Sequence, residues 1–85
     1  MIVNYYGTSV KGSSALQTSI AEQEILPVGL RFANFELMND QICSITINGG
    51  DYIYLRANQG ISIPVCYSCK ILQNNITLNW IGVVL

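Results

Sequence analysis

The stretch of sequence that decides the fold covers residues 42–56 and reads ICSITINGGDYIYLR. Apolar residues alternate with polar ones up to Ile47, and a period-two pattern resumes at Tyr52. Such alternation is typical of a β-strand that buries one face. Between the two runs lie Gly49 and Gly50, which adopt the positive φ angles of a type I′ turn without steric cost. The stretch therefore predicts a β-hairpin.

The rest of the second half continues this pattern. Short turns rich in Asn, Gln and Gly separate the apolar runs. This arrangement favours a meander or Greek key, in which each strand has a neighbour within reach. We predict strands at residues 42–48, 52–56, 61–63, 65–73 and 76–85.

The first half has weaker patterns. Residues 1–6 alternate and predict a first strand, whereas residues 7–14 are rich in glycine and serine and predict a loop. Residues 15–26 fit either a short helix or a strand, and their Thr, Ser and Ile content favours the strand. An alternating pattern resumes at residue 28. Near Asn34 the apolar residues change from even to odd positions, which predicts a β-bulge. We therefore predict that residues 1–85 form one all-β domain, a small antiparallel β-sandwich or flattened barrel of about seven or eight strands.

The composition indicates a covered surface. Of the 85 residues, 51% are hydrophobic and 11% are charged, whereas ordinary soluble domains contain about 25% charged residues. A chain of this length has a thin core, so many apolar residues are left for the outside. Monomers seldom expose apolar patches beyond a few hundred Å², and we expect another copy or another protein to cover part of the surface. The alternative is a soluble monomer with a neutral surface rich in Asn, Ser, Gln and Thr.

Charge and hydropathy argue against two kinds of partner. The net charge is −1 and the four cationic residues are scattered, whereas nucleic-acid binding rests on clustered Lys and Arg. The longest apolar run, residues 81–85, is far shorter than a membrane-spanning helix. The first residues have neither the basic region nor the apolar core of a secretion signal. We expect no nucleic acid, no membrane and no export by that route.

The chemistry needed for a metal site or for catalysis is sparse. The chain has three cysteines, Cys43, Cys66 and Cys69, and no histidine, whereas a structural zinc site takes four such ligands. The last two cysteines form a CxxC inside a predicted strand, where residues three apart point to opposite faces. Because the chain has no histidine, the candidate general bases are its carboxylates, which are scattered along the sequence. We expect structural cysteines, no metal, no cofactor and no enzymatic activity.

Two candidate contact surfaces follow from the strand patterns. The final run is apolar on both faces, which indicates that both faces are covered. One face is assigned to the core and the other to a contact with a neighbouring chain, through Trp80, Ile81, Val83, Val84 and Leu85. Tyr52 and Tyr54 share one strand face. They are suited either to stacking on sugar rings or to cross-strand aromatic packing.

Two runs carry a family resemblance. INGGDYIYLRANQG (residues 47–60) and CKILQNNITLNWIG (residues 69–82) resemble the C-terminal half of small virion proteins of tailed bacteriophages. In those proteins a strand with a glycine turn precedes a Tyr-Leu-x-Ala segment and a final strand that ends in Trp-Ile-Gly. The resemblance implies a β-sandwich structural component of the virion, of the head-decoration, neck or tail-adaptor type.

This resemblance sets the functional expectation. It implies a non-enzymatic chain, located in the virion, that binds the particle in multiple copies through apolar strand surfaces. The implied partners are other virion proteins, such as major capsid, portal or neck, or tail proteins, and the chain is expected to form a homo-oligomer. The main alternative is a glycan-binding module of a phage receptor-binding or adhesion device that uses Tyr52 and Tyr54. A third possibility is a host β-domain adaptor with no viral association.

Overall fold

The computed structural model describes residues 9–85 and contains only β-strands as regular elements within them. Eight strands occur in this part of the chain: β1 (Val10–Gln17), β2 (Gln23–Glu24), β3 (Phe32–Asn39), β4 (Cys43–Ile47), β5 (Ile53–Leu55), β6 (Ile61–Cys66), β7 (Cys69–Ile71) and β8 (Thr77–Val84). They form two four-stranded antiparallel sheets. Sheet A has the order β1-β8-β3-β6, and sheet B has the order β2-β7-β4-β5. The all-β prediction is confirmed, and the two open sheets make it a sandwich.

The strand pairing follows one simple rule. The chain pairs β1 with β8, β2 with β7, β3 with β6 and β4 with β5. It is therefore a long antiparallel hairpin with its tip between β4 and β5. Additional pairings of β3 with β8 and of β4 with β7 join these ribbons into the two sheets. This rolled-up hairpin is the eight-stranded jelly-roll arrangement.

The core lies between the two sheets and draws on both. Phe32, Phe35 and Trp80 come from sheet A, and Ile45 and Ile71 come from sheet B. The Trp80 ring packs edge-on against Phe32, with centroids 5.2 Å apart, and lies 6.0 Å from Phe35. This aromatic group occupies the inner side of the two central strands of sheet A.

The tip of the long hairpin is the turn that the sequence predicts. The Gly50 amide donates to the Ile47 carbonyl at 2.9 Å, and the two central residues, Asn48 and Gly49, have φ angles of 52° and 73°. Two consecutive positive φ angles are what a type I′ turn requires. The hairpin is confirmed, but the central pair is Asn-Gly and lies one residue before the Gly-Gly pair. Asn tolerates this backbone region better than most residues.

The predicted bulge in β3 is confirmed. The register of β3 against β8 shifts between Ala33 and Glu36, and Asn34 has a φ of 50°. The extra residue lets both Phe32 and Phe35 point into the core, although they are three positions apart. A regular strand would place them on opposite faces.

Three predicted boundaries are wrong. Residues 10–14, predicted as a loop, belong to β1, an edge strand that gains its structure by pairing with β8. In the predicted strand at residues 15–26, positions 18–22 form no strand, and only the short β2 follows. Residues 28–31 precede β3 in a tight turn, where the Leu30 amide reaches the Pro27 carbonyl. The strand predicted at residues 1–6 lies outside the described residues.

The predicted strand at residues 65–73 is in fact two strands. Cys66 ends β6 in sheet A and Cys69 opens β7 in sheet B. The two residues between them carry the chain from one sheet to the other. Asn48 holds this crossover, since its Oδ1 accepts from the amides of Tyr67 at 2.8 Å and Ser68 at 3.3 Å. The hairpin tip and the crossover are thus bonded together at one end of the sandwich.

At the other end, two buried polar side chains hold the loops. Thr18 donates to the Gln73 carbonyl at 3.0 Å and accepts from the Ile76 amide at 2.9 Å. Asn39 connects the end of β3 to the loop between β5 and β6 through bonds to Arg56 and Gly60. Both side chains are fully buried. Bonded polar groups of this kind fix loop geometry that apolar packing alone leaves loose.

Candidate functional site

The outer face of sheet A carries a row of apolar side chains that crosses all four strands. The register pairs Val10 with Val83, Val83 with Ala33, and Ala33 with Val65. Phe32 and Cys66, the neighbours of Ala33 and Val65, are fully buried on the inner side. Because neighbouring residues of a strand point to opposite faces, the four paired side chains lie on the outer face.

A second outer row lies beside the first and is more polar. It consists of Gly12, Ile81, Glu36 and Ser62, again in direct register across the four strands. Val10 and Ile81 are 60% and 49% exposed, and Met38, Val65 and Leu85 are also exposed. We define the sheet A patch as the outward apolar residues of these strands: Val10, Ala33, Met38, Val65, Ile81 and Val83.

A shallow groove runs along the same face. Its volume is about 780 Å³, and its lining includes Lys11, Glu36, Met38, Asn79 and Ile81. At its β1 side, position 12 has room only for glycine, because a Cβ there would lie 2.5 Å from the Trp80 carbonyl oxygen. Within residues 9–85, neither Glu36 nor Lys11 makes an ion pair or a side-chain hydrogen bond. The Glu36 carboxylate is on the groove face, whereas Lys11 pairs with Gly82 and is directed to the opposite face of β1.

The structure separates the five predicted contact residues of the final strand. Trp80 is 7% exposed and packs on Phe32 and Phe35, and Val84 packs against the same core. These two alternate inward with Leu78 and belong to the interior of the chain. Ile81, Val83 and Leu85 alternate outward; Ile81 and Leu85 are well exposed, whereas Val83 is only 8% exposed. The other four residues of the patch carry no distinguishing signal in the sequence: Val10, Ala33, Met38 and Val65.

Trp80 has one unusual feature. Its indole Nε1 is buried, and it has no hydrogen-bond partner within the described residues. Buried Trp N–H groups usually find one. The ring packing with Phe32 and Phe35 therefore holds the indole in a position that leaves this donor unpaired.

The outer face of sheet B presents the two tyrosines. Tyr54 pairs with Ser44 across from β4 and is 60% exposed, and Tyr52 is 48% exposed. The Tyr52 hydroxyl donates to a Glu22 carboxylate oxygen at 2.6 Å, and this hydrogen bond raises the pKa of Tyr52. The bond links the segment before β5 to the turn before β2, and these two strands are the opposite edges of sheet B. The groove of sheet A is on the other side of the molecule and involves neither tyrosine.

The three cysteines lie in the core as free thiols. Cys43, Cys66 and Cys69 are all buried, so the CxxC residues do not point to opposite faces as predicted. They both face inward because the two-residue crossover reverses the chain between the sheets. Burial raises the pKa of all three thiols, that of Cys66 to about 11. Across residues 9–85 no group of three or more His, Cys, Asp or Glu side chains is placed to hold a metal ion.

The buried thiols predict a loss of stability in mildly alkaline solution. An unfolded chain ionises its thiols near pH 9.0, whereas folded Cys66 keeps its proton up to about pH 11. Above pH 9 the unfolded state therefore binds fewer protons, and the free energy of unfolding falls as the pH rises. The slope is about 1.4 kcal/mol per pH unit for each thiol that is ionised only in the unfolded state. Urea unfolding at several pH values between 8 and 10 measures this slope.

Replacing Cys66 with alanine provides the control for this prediction. The variant is less stable at every pH because it leaves a cavity, but its pH profile between 8 and 10 should be flatter than that of the original chain. Identical slopes for the two proteins would contradict the assignment of the alkaline loss to this thiol.

Comparisons with known proteins give no information about this site. The chain matches no protein-family model, no curated protein and no solved structure. In the described part of the chain, no helix has the length and apolar character needed to cross a membrane.

Proposed function

We propose that this chain is a non-enzymatic structural component of a tailed-phage virion, and that it assembles on the particle in multiple copies through the outer face of sheet A. The observation that carries the proposal is the group of exposed apolar side chains on this face, Val10, Met38, Val65 and Ile81, which come from all four strands. The virion setting comes from the sequence resemblance.

The contrast between the two outer faces supports an assembly role for sheet A. In antiparallel sandwiches the side chains on the solvent-facing side of a sheet are normally polar. Sheet B is closer to this rule, since its outward residues pair Thr46 with Lys70 and Ser44 with Tyr54, and the exposed Tyr54 ring carries a hydroxyl group. Sheet A departs from it with exposed Val10, Val65 and Ile81. Apolar side chains gathered on one face mark a protein contact rather than a solvated surface.

The partners that fit this face are proteins. Its exposed apolar residues suit the buried centre of a protein interface, where charged residues are depleted, and Glu36 is the one carboxylate in the row beside them. In the proposed setting the partners are other copies of the chain and neighbouring virion proteins of the capsid, neck or tail. Jelly-roll sandwiches are found among viral capsid domains and also among lectins. The fold is therefore compatible with the proposal without selecting it.

The test is incorporation into particles. Tailed-phage particles that contain the chain are purified, and its copy number per particle is measured by quantitative mass spectrometry. Changing Ile81 and Val65 together to Lys should lower that number at least tenfold, because a charge is expensive in a dry interface. The matched control changes Ile20 and Ile42 to Lys, two residues of similar exposure in loops at one end of the sandwich. The control should load normally.

Two outcomes count against the proposal. If the original chain is absent from purified particles, the virion role is wrong. If the Ile81 and Val65 variant loads at the normal copy number while remaining folded by circular dichroism, the outer face of sheet A is not the assembly surface.

A glycan-binding role is the second candidate, and one observation favours it. The Glu22 carboxylate holds the Tyr52 ring in place, and Tyr54 stands exposed on the same face of sheet B. A preset ring loses little conformational entropy when it stacks on a sugar. Titration with oligosaccharides, followed by tyrosine fluorescence, tests this role. Binding that is lost in Tyr54→Ala would support a glycan-binding role. No change in fluorescence with any oligosaccharide tested would contradict that role.

A further inference from the structure

We infer that a second copy of this chain binds at the free edge of β5, where the two β5 strands pair antiparallel about a two-fold axis and join two copies of sheet B into one sheet. The inference goes beyond the proposed function, because it uses the edge of sheet B and not the outer face of sheet A. β5 is the last strand in the order of sheet B, so only β4 pairs with it within residues 9–85.

The backbone of Tyr54 is directed to this open side. Ser44 lies opposite Tyr54 in the register of β4 with β5. The Ser44 carbonyl accepts from the amide of Leu72, just after β7, at 2.9 Å. In an antiparallel pair, two opposite residues either exchange both of their backbone hydrogen bonds or exchange neither. Ser44 and Tyr54 form a pair of the second kind, so the Tyr54 amide and carbonyl point away from β4.

Tyr52 adds a second pair of free backbone groups. It lies directly before β5, and its amide and carbonyl make no hydrogen bond to another backbone group within residues 9–85. When two copies of β5 pair with Ile53 opposite Ile53, Tyr52 of each copy lies opposite Tyr54 of the other. The free groups of these residues then bond to each other on both sides of the axis. No bond between β4 and β5 is broken.

Ile53 gives this pairing an apolar centre. Its partner on β4, Ile45, is fully buried, and Leu55 on the same face of β5 is 1% exposed. Ile53 is 41% exposed although it lies on the inner face with them. In the proposed register it meets its own copy on the axis, in the kind of pair that brings Cα atoms and side chains closest together.

The other three sheet edges carry features that oppose strand pairing. β6 contains Pro64, which has no N–H to donate. The register of β1 shifts between Ser13 and Leu16, where Ala15 has a φ of 58°, and such irregularities hinder pairing at an edge. β2 has only two residues. β5 is short as well, but it has neither a proline nor a register shift, so it is the edge best suited to extension.

The charges at the two ends of β5 favour a second copy as the occupant. Asp51 lies before the strand and Arg56 directly after it, and both residues are exposed. Within the described part of the chain neither side chain makes an ion pair or a hydrogen bond. Antiparallel pairing brings Asp51 of one copy opposite Leu55 of the other, next to Arg56. A two-fold axis repeats each contact, so two equivalent pairs of opposite charges result.

The contact is small. It consists of one apolar pair, two backbone-bonded residue pairs and two charge pairs, which is less than the specific interfaces that bury about 800 Å² per partner. We therefore expect a weak, reversible dimer in dilute solution. Copies held side by side in an assembly pair more fully, because tethering gives effective concentrations of about a millimolar.

The first experiment uses the symmetry. Ile53→Cys places one partly exposed thiol on the axis, whereas the three native thiols are buried. Diamide takes up the two hydrogen atoms that a pair of thiols loses when a disulfide forms. It should link Ile53→Cys into a dimer about tenfold or more faster than Ile42→Cys, because opposite residues of such a strand pair are close enough for a disulfide. Ile42 is exposed and lies outside β5. Equal rates would overturn the two-fold pairing.

The second experiment exchanges the charges. Asp51→Lys and Arg56→Glu should each raise the dimer Kd about threefold or more in sedimentation equilibrium at low salt, because each replaces two attractive contacts with two repulsive ones. The double exchange should return the Kd to about the original value, since it rebuilds both pairs in reverse. A double variant that binds no tighter than either single variant would overturn the proposed register.

The third experiment removes the backbone donor. Tyr54→Pro loses the N–H that points away from β4 and keeps the bonds to β4, so the variant should remain folded by circular dichroism but no longer dimerise. A folded Tyr54→Pro chain that associates as the original chain does would place the contact on another surface and overturn the inference. An original chain that stays monomeric up to about a millimolar would overturn it as well.

Discussion

Replacing Asn39 with alanine is expected to lower the free energy of unfolding by about 2–4 kcal/mol. The side chain is fully buried. It donates to the carbonyls of Gln41 at 2.7 Å and Arg56 at 2.8 Å, and it accepts from the Gly60 amide at 3.0 Å. Alanine would leave these three backbone groups without their side-chain partner in a partly buried site. Each buried group left unpaired costs about 1–3 kcal/mol.

Urea unfolding at neutral pH measures this effect, and Asn74→Ala is the matched control. Asn74 is exposed and makes no side-chain hydrogen bond within the described residues. Its replacement should change the free energy of unfolding by less than about 0.5 kcal/mol. If Asn39→Ala cost under 1 kcal/mol, the loops around Asn39 would be held by some other contact.

Replacing Gly82 with alanine is the second large effect, at about 1–3 kcal/mol. A Cβ at this position would lie 2.8 Å from Cβ of Phe32 and 3.1 Å from its ring. Phe32 is fully buried against Trp80 and has no room to retreat. The added methyl group would force the two central strands of sheet A apart or push the ring off its rotamer.

The control for Gly82 is Gly50→Ala at the hairpin tip. Gly50 does not have a positive φ, and its nearest obstacle is a single carbonyl oxygen at 3.1 Å. Thermal unfolding of the two variants should show a clearly larger loss for Gly82→Ala. Equal losses would show that the sheet adapts to the extra methyl group more easily than the packing of Phe32 indicates.

The Trp-Ile-Gly run shows what the sequence could and could not predict. Period-two alternation predicts the strand, but it does not say which of the two apolar faces is internal. The structure places Trp80 in the core, Ile81 on the outer face and Gly82 against Phe32. Three consecutive residues thus have three different roles, and only the pairing of β8 with β3 separates them.

β1 was missed for a related reason. Its segment around Gly12 and Ser13 has the composition of a loop, and local propensity is a weak guide when a partner strand supplies the hydrogen bonds. β8 provides that partner from more than sixty residues away in the chain, pairing Gly12 with Ile81. The glycine is required there by the close approach of the Trp80 carbonyl.

The candidate surface was predictable only in part. The apolar character of the final strand indicates a contact role for Ile81 and Val83. Val10, Ala33 and Val65 join them from three other strands, in a row defined by register. The sequence of each separate segment does not identify these residues, because the strands that lie side by side are known only from the topology. The tyrosine pair, by contrast, lies within one strand and is visible from alternation alone.

The central claim is that other chains cover the outer face of sheet A when the protein is assembled. Carbene footprinting on intact particles and on the isolated chain at low micromolar concentration tests it most directly. Labelling of Val10, Val65 and Ile81 should fall at least fivefold on the particle, while Ile20 and Ile42 keep their labelling. Unchanged labelling of the three patch residues, on particles shown to contain the chain, would contradict the claim.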